Sequence, residues 1–284
     1  MWKKILTMSL TMVMVLSLAA CAEEAGEEGG LPSAQEIVDG VMQSLDDIRT
    51  HQFDMDMTMD MAGEGEGETF EMTMVMDGSG ALDFDNSEMR MDMTMSMTMP
   101  DESEMDMGTA IYLIGGMVYM LMEIPEMEPM WIKSEMPEGY WEEMSQVQTQ
   151  IELLEVAQVE VIGSERIGGI DCYVLQVTPD LEQLWQMVMQ QAEMAGEMPD
   201  VTGELLQEMF RSFSVEQWVA KDTYFLAKVE IDMAMELTPE AMGFPGEEGI
   251  MTMDIAMSIL TYNYNQPVSI VLPPEAEEAI EMTM

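Results

Sequence analysis

Methionine recurs at every second position in several stretches of this chain. Residues 54–61 read DMDMTMDM, and residues 90–99 read RMDMTMSMTM. Successive side chains of a β-strand point to opposite faces, so this spacing puts the methionines on one face and the aspartates and threonines on the other. The pattern therefore predicts half-buried strands, each with one apolar and one wet face.

The alternation continues along most of the chain, interrupted by short turn-forming sequences. GEGEGE at 63–68, DGSG at 77–80 and the pair Gly115-Gly116 are expected to be turns. Strands joined by such short turns form an antiparallel meander. Later strands are predicted at 131–133, 159–169, 170–177, 214–220, 223–237 and 249–265.

Helical spacing is confined to a few segments. Ser33 and Glu36 fit a capping box, and Ile37, Val41 and Leu45 follow on one helical face. Further helices are predicted over 140–156, 181–194 and 204–213. Many antiparallel strands with few helices indicate an α+β fold, namely a strongly curved antiparallel sheet covered on one side by helices. Residues 33–284 are expected to form a single domain.

The N-terminal region is typical of an exported lipoprotein. Residues 1–20 carry two lysines and then an apolar run of signal-peptide form, and Leu18-Ala19-Ala20-Cys21 resembles the bacterial lipobox. Cleavage before Cys21 would leave that cysteine as the lipidated N-terminus. The acidic, glycine-rich residues 21–32 are expected to be a flexible tether. The folded body would then sit on the extracytoplasmic face of a cell membrane or cell envelope, held by a lipid anchor.

The excess of acidic residues excludes nucleic acids as partners. The chain has 9 basic and 56 acidic residues, a formal net charge of −47, so it repels nucleic-acid phosphates. Most of the acids are interpreted as a solvated surface. The single histidine, His51, is expected to be exposed between the first helix and the first strand. Cys172 lies in an apolar run and is interpreted as a buried, inert thiol.

The 40 methionines admit two interpretations. Thioethers select Cu(I), but a metal site needs three or four convergent ligands, whereas these methionines are spread over at least six strands. Ile, Val or Leu also replaces Met in the alternation, as at Ile111 and Ile231, which suits an apolar face and not a ligand set. Neither a metal site nor a cofactor is therefore assigned. Met is flexible and adaptable, so the face is interpreted as the lining of a cavity, with ordinary core as the alternative.

The predicted cavity residues come from the alternating segments and from one helix. Trp185 and Val188 are helix residues that would close the cavity. The strand residues are Met57, Met59, Met74, Met91, Met93, Met95, Met107, Ile111, Met233, Met235, Met253 and Met257.

Several segments together resemble the LolA/LppX-like bacterial lipoproteins of the LppX and LprG type. They are the lipobox at Cys21, the opening helix, Tyr112-Leu113 with Gly115 and Tyr119, Trp131-Ile132-Lys133, IGSERIGG at 162–169 with Tyr173-Val174-Leu175, QWVAKDTY at 217–224, YNQPV at 264–268 and LPPEA at 272–276. The resemblance implies an antiparallel half-barrel with helices over its concave face and a cavity for the acyl chains of lipids or lipoproteins. Members of this group also act as envelope sensors that bind other proteins.

No arrangement of residues for catalysis is present: there is no Ser-His-Asp set, no H-E-x-x-H, no P-loop and no Rossmann glycine pattern. We therefore expect a non-enzymatic lipoprotein that binds or carries a lipid, acyl or other hydrophobic ligand. One alternative is an envelope sensor or scaffold that binds a protein partner. The other is a methionine-rich protein that handles copper.

Overall fold

The structure, a computed structural model, describes residues 31–65, 68–99, 103–136, 141, 157–179, 209–238 and 249–281. Over these ranges we number the strands and the α-helix in chain order. They are α1 (Ala34–Leu45), β1 (Thr50–Gly65), β2 (Glu68–Asp83), β3 (Glu88–Thr98), β4 (Glu104–Ile114), β5 (Met117–Glu123), β6 (Met130–Glu135), β7 (Gln158–Ile167), β8 (Ile170–Thr178), β9 (Phe210–Ala220), β10 (Leu226–Leu237), β11 (Gly249–Tyr262), a 3₁₀ helix (Pro274–Glu278) and β12 (Ile280–Glu281).

The described strands form one hydrogen-bonded sheet in the order β12-β6-β5-β4-β3-β2-β1-β11-β10-β9-β8-β7. The sheet is open, with β12 and β7 at its two ends. The neighbours from β2 to β6 and from β7 to β10 run antiparallel, whereas the two-residue β12 runs parallel to β6. The prediction of a large antiparallel sheet is thus confirmed, while the helices over a concave face remain a prediction.

The chain divides into two compact units, Met1–Leu45 with Gly63–Thr69 and Gln146–Asp254, and Asp46–Ala62 with Phe70–Ser145 and Ile255–Met284. In the first unit, α1 begins with the predicted capping box. The Ser33 backbone N–H donates to Glu36 Oε2 at 2.9 Å, and the Glu36 N–H donates to Ser33 Oγ at 3.3 Å. Ile37 and Val38 are buried on the apolar face of the helix. These bonds satisfy N–H groups that a helix start leaves without partners.

The C-terminal half of α1 contacts the turn between β9 and β10. A Cβ atom on Gly40 would lie 2.5 Å from Cδ1 of Tyr224, so the glycine allows the aromatic ring to approach the helix. Ser44 Oγ donates to the carbonyl of Val41 at 2.8 Å. The end of the QWVAKDTY segment therefore helps to position the first helix.

The sheet of the first unit buries branched aliphatic side chains. Val215 of β9 pairs with Ile231 of β10 and with Val177 of β8, and all three are buried. A second buried cluster joins Cys172 and Trp218 with Val174 and Ala227. Cys172 is fully buried, and burial raises the pKa of its thiol, as expected for an unreactive cysteine.

The turn predicted at GEGEGE, 63–68, is shorter than expected, because β1 runs to Gly65 and β2 begins at Glu68. Two further sequence predictions about secondary structure are wrong. DGSG at 77–80 is not a turn, because β2 continues through it to Asp83 and the chain turns at 84–87. The helix prediction over 204–213 is wrong at its C-terminal end. Phe210 to Phe213 belong to strand β9, where Phe213 pairs with Met233 of β10. Cross-strand packing overrides local propensity in both cases. The other two predicted helices, 140–156 and 181–194, lie outside the described residues apart from Trp141.

In the second unit, the segment after β11 holds the start of β1. Asn265 accepts a hydrogen bond from the Arg49 N–H at 2.7 Å and donates its side-chain amide to the carbonyl of Asp47 at 2.9 Å. Its backbone N–H donates to the carbonyl of Thr50 at 2.8 Å. Asn265 has φ +56°, a left-handed conformation that asparagine tolerates better than most residues. The YNQPV motif therefore has a structural role, since its Asn265 fixes the backbone at the start of β1.

The following residues cover one face of β4 to β6. Ile270 is buried against Ala110 and Tyr112, with Val268, Leu272 and the rings of Tyr119 and Trp131 around them. Gly115 and Gly116, at φ +60° and +78°, make the predicted turn between β4 and β5. No described helix is long and apolar enough to cross a membrane.

His51 is not an exposed connector, contrary to the expectation from sequence. It is the second residue of β1, and its ring centroid lies 5.6 Å from that of Phe84 and 5.5 Å from that of Tyr264. Its buried Nδ1 makes no hydrogen bond within the described part of the chain. Burial lowers the pKa of His51 from 6.5 to about 4.

This shift predicts a pH-dependent stability that His51→Phe should remove. Between pH 6.5 and about 4 the unfolded chain takes up a proton at His51 that the folded chain does not, so the free energy of unfolding falls as the pH falls through that window. The full effect approaches roughly 3 kcal/mol below pH 4. Urea unfolding of both proteins at pH 8, 5.5 and 4 measures the difference. Parallel pH dependences would contradict the assignment.

Candidate functional site

Strand register gathers methionines on one face of the second unit. Met76 of β2 pairs with Met95 of β3, and Met95 pairs with Met107 of β4. In the same way Met74 pairs with Met97, and Met97 pairs with Met105. Directly opposed residues project to the same side of a sheet with their Cβ atoms about 4.5–5.5 Å apart. The alternation seen in sequence therefore becomes a two-dimensional surface.

Further pairs extend this surface in both directions. Met91 pairs with Ile111, Ile111 pairs with Met120 of β5, and Thr109 pairs with Met122. We call this surface the methionine face. It consists of Met74, Met76, Met91, Met93, Met95, Met97, Met105, Met107, Thr109, Ile111, Met120 and Met122.

Two glycines shape its border with β1. Gly80 pairs with Met91, and a Cβ atom on Gly80 would lie 2.5 Å from the ring of Phe53. Gly78 pairs with Met93, and its Cβ would lie 3.3 Å from Cε of Met55. Side chains of β1 thus lie over the backbone at these glycines, which is why DGSG is strand and not turn.

Burial varies across the methionine face. Met74, Met91 and Met97 are 5%, 4% and 2% exposed. In contrast, the side chains near the middle of β3, β4 and β5 are half-buried: Met93, Met95, Met107, Ile111, Met120 and Met122. Register makes these residues contiguous, so they form an accessible apolar patch with the buried Met76, Met91 and Met97 on one side and the exposed Met105 and Met130 at its other borders. An open groove of about 520 Å³ is lined mainly by residues of the other face of these strands, namely Thr94, Ser96, Asp106, Gly108 and Glu123, with Met95, Met107, Ile124 and Pro125.

The opposite face is polar and acidic on β1 to β3 and at the start of β4, whereas further along β4 and β5 it carries the apolar cluster covered by Ile270. Thr73 Oγ1 donates to Asp60 Oδ1 at 2.6 Å, and Ser96 Oγ donates to Asp106 Oδ1 at 2.6 Å. The pKa of Asp56 is raised by desolvation, by a hydrogen bond with Asp77 and by the nearby carboxylates. Among the described residues, no group of three or more His, Cys, Asp or Glu side chains could hold a metal ion.

The predicted cavity residues fall into three groups: two residues outside the described part of the chain, those on β10 and β11, and those on β1 to β4. Trp185 and Val188 lie outside the described residues. Met233 and Met235 on β10 and Met253 on β11 belong to the first unit, whereas Met257 lies in the later half of β11, in the second unit. The predicted residues on β1 to β4 are Met57, Met59, Met74, Met91, Met93, Met95, Met107 and Ile111.

Register brings Met74, the three β3 methionines, Met107 and Ile111 together on the methionine face. Met57 and Met59 are buried at alternate positions of β1. Contact of any of these side chains with a ligand remains a prediction. The sequence prediction omitted Met76, Met97, Met105, Met120 and Met122, although they follow the same alternation.

The second unit thus combines a thioether-rich face on β2 to β5 with acidic side chains on the other face of β2 and β3. The chain belongs to DUF6612, a family of unknown function, which it matches over residues 33–281. A comparison with curated proteins gives no match.

Three solved structures illustrate the similarity to known folds. Lipoprotein LppX from Mycobacterium tuberculosis is 14% identical, with 84% of this chain and 100% of that chain covered and a TM-score of 0.38. LprF from Mycobacterium bovis is 11% identical, with 84% and 96% covered and a TM-score of 0.42. A putative outer membrane lipoprotein-sorting protein domain from Vibrio parahaemolyticus is 13% identical, with 76% and 87% covered and a TM-score of 0.20. Similarity at this level does not define a ligand.

The close packing at Gly80 provides a test of how β1 packs against the border of the methionine face. Gly80→Ala should lower the free energy of unfolding by about 1–3 kcal/mol, because the new methyl group would meet the Phe53 ring at 2.5 Å and the Arg90 carbonyl at 2.7 Å. Gly163→Ala in β7 is the matched control, since its Cβ would meet nothing within 4 Å. Urea unfolding measures both. Equal stabilities for the two variants would show that β1 does not cover Gly80 as described.

Proposed function

We propose that this protein is a membrane-anchored extracytoplasmic lipoprotein that binds the acyl chain of a lipid, or a similar hydrophobic ligand, on the methionine face. One observation carries the proposal: the half-buried patch formed by Met93, Met95, Met107 and Ile111 with Met120 and Met122 of β5 is contiguous, apolar and partly accessible. A soluble sheet normally keeps such a surface covered. An acyl chain supplies a cover of matching chemistry.

The apolar chemistry of the patch suits a ligand that offers few polar groups for hydrogen bonding. Burial of apolar surface stabilises a complex by about 25 cal/mol per Å², so a few hundred Å² is worth several kcal/mol without any directed hydrogen bond. Methionine has three rotatable bonds and a polarisable sulfur, so one surface can adapt to chains of different length and unsaturation. We therefore expect selectivity for apolar length and little for the headgroup.

The N-terminal sequence supports the location. The lipobox-like segment ending at Cys21 would attach the chain to a membrane, and the acidic residues 21–32 would let the body reach lipids or partners nearby. The proposal includes the half-barrel arrangement, in which helices cover the methionine face and enclose the ligand.

A photoactivatable, clickable palmitate analogue tests binding and anchoring in one experiment. Cells expressing the full-length protein are grown with the analogue and irradiated, and labelled peptides are mapped by mass spectrometry. We expect light-dependent adducts on β3 and β4 and light-independent acylation on the peptide carrying Cys21. Cys21→Ala should abolish only the second kind of label.

Matched variants of one strand make the test specific. Met93→Gln with Met95→Gln keeps side-chain length but replaces two thioethers by amides, at roughly 1–2 kcal/mol each, so light-dependent labelling should fall at least tenfold. Thr94→Gln with Thr98→Gln changes exposed residues on the opposite face of β3 and should leave the labelling unchanged. Equal labelling of both variants, or labelling confined to the Cys21 peptide, would refute acyl binding on this face.

A further inference from the structure

The methionines of the second unit differ widely in their access to solvent. Met127, in the loop between β5 and β6, is 62% exposed, and Met105 and Met130 are 38% and 37% exposed. Met74 and Met97, in contrast, are 5% and 2% exposed. Between these extremes lie five half-buried side chains, which we call the patch methionines. They are Met93, Met95, Met107, Met120 and Met122.

The exposed methionines lie beside the patch methionines. Met130 of β6 pairs with Met122 of β5, and Met105 precedes Met107 by two residues on the same face of β4. A small molecule that reaches this border therefore also reaches the patch. Ile111 completes the patch and has no sulfur, so a reaction at thioether sulfur would alter every other side chain of the patch.

Thioether sulfur has a reaction that aliphatic side chains lack. A sulfur lone pair attacks one oxygen of hydrogen peroxide, the O–O bond breaks, and the proton on the transferred oxygen passes to the departing hydroxide. The products are methionine sulfoxide and water, so the sulfur is oxidised and the peroxide is reduced. The sulfoxide is polar, whereas buried side chains of the first unit such as Val215 and Ile231 would be unchanged by peroxide.

We propose that the patch methionines are a site of reversible sulfoxidation that controls ligand binding on the methionine face. The inference rests on the proposed acyl-binding function, because its consequence is release of the acyl chain. A sulfoxide in the patch loses its hydrogen-bonded water when an acyl chain covers it, and the chain offers no hydrogen bond in return. Oxidation of the patch should therefore weaken acyl binding at least tenfold.

The burial of the neighbouring methionines confines the change to the binding surface. Met74, Met91 and Met97 are at most 5% exposed, so peroxide reaches their sulfurs only when the sheet opens locally. The buried side of the methionine face thus stays apolar while the patch becomes polar. A methionine sulfoxide reductase supplied with a dithiol reverses the reaction, because the oxygen leaves as water and the dithiol becomes a disulfide.

The charge of the chain favours uncharged oxidants. A formal net charge of −47 repels anions such as hypochlorite and peroxynitrite. Carboxylates such as those of Asp92 and Asp106 lie on the opposite face of β3 and β4, close to the patch. Hydrogen peroxide is uncharged at neutral pH, so this field does not exclude it from the methionine face.

Peroxide treatment followed by acyl labelling tests the inference. Membranes from cells expressing the full-length protein are treated with hydrogen peroxide, quenched with catalase, incubated with the photoactivatable palmitate analogue and irradiated. Mass spectrometry maps sulfoxides and adducts on the same peptides. The patch methionines should oxidise more slowly than Met127 but at least fivefold faster than Met74 and Met97, because oxidation follows exposure.

Labelling should follow the oxidation state of the patch. Light-dependent adducts on β3 and β4 should fall at least tenfold as the patch methionines oxidise, and they should return after treatment with methionine sulfoxide reductase. The light-independent label on the Cys21 peptide should be unchanged throughout, so it serves as the reference. Recovery of labelling in the unmodified protein separates sulfoxidation from irreversible unfolding without any variant.

Two sets of leucine substitutions locate the effect. Leucine at all five patch positions keeps the apolar surface and removes the sulfurs, so this variant should be labelled normally and keep its labelling after peroxide. The matched control is Met105→Leu with Met127→Leu and Met130→Leu, which removes the exposed methionines and leaves the patch intact. It should lose labelling as the unmodified protein does. An equal response of the two variants to peroxide would overturn the inference.

The acyl-binding proposal and the sulfoxidation proposal fail in different ways. Labelling that persists after the patch methionines are oxidised would overturn sulfoxide control and leave acyl binding standing. Oxidation of the patch at the rate of the buried Met74 and Met97 would have the same meaning. Absence of light-dependent labelling before any peroxide is added would refute acyl binding, and this inference with it.

Discussion

This structure depends on one constraint: the two-residue period of a strand puts thioethers on one face and carboxylates on the other. A chain with a formal charge of −47 cannot bury its acids, and any shift of strand register by one residue would turn them toward the apolar side. In β3 the buried Met91 and Met97 share one face, while the exposed Thr94 and Thr98 lie on the other. The alternation therefore fixes both the register and the chemical identity of each face.

The two units use this constraint with different side chains. In the first unit the buried positions include Val177, Val215, Val229 and Ile231, which are branched, stiff and suited to a uniquely packed core. In the second unit the equivalent role falls mainly to methionine, which specifies packing less strictly and accommodates varied neighbours. Such an adaptable surface suits the proposed acyl ligand, whose chain length and unsaturation can vary.

Glycine and aromatic residues fix the packing at positions where methionine alone would specify it only loosely. Gly78 and Gly80 admit side chains of β1 over β2, and a Cβ atom at either position would press on Met55 or Phe53. His51, Phe84 and Tyr264 pack together near the start of β1, where Asn265 holds the backbone with three hydrogen bonds. Burial of His51 among these rings lowers the pKa of its imidazole to about 4.

The sequence by itself determined the strands, the polarity of their faces, the capping box at Ser33 and the turn at Gly115-Gly116, because each depends on residues close together in the chain. Tertiary structure decided what depends on distant residues. DGSG became strand because Phe53 and Met55 lie over its glycines, and Phe210 to Phe213 joined β9 because β10 offered a partner. His51 was placed among rings by Phe84 and by Tyr264, and Tyr264 lies more than 200 residues further along the chain. The methionine face likewise exists only once register aligns β2, β3 and β4, since the period of a single strand sets which face a side chain takes but not which side chain lies beside it.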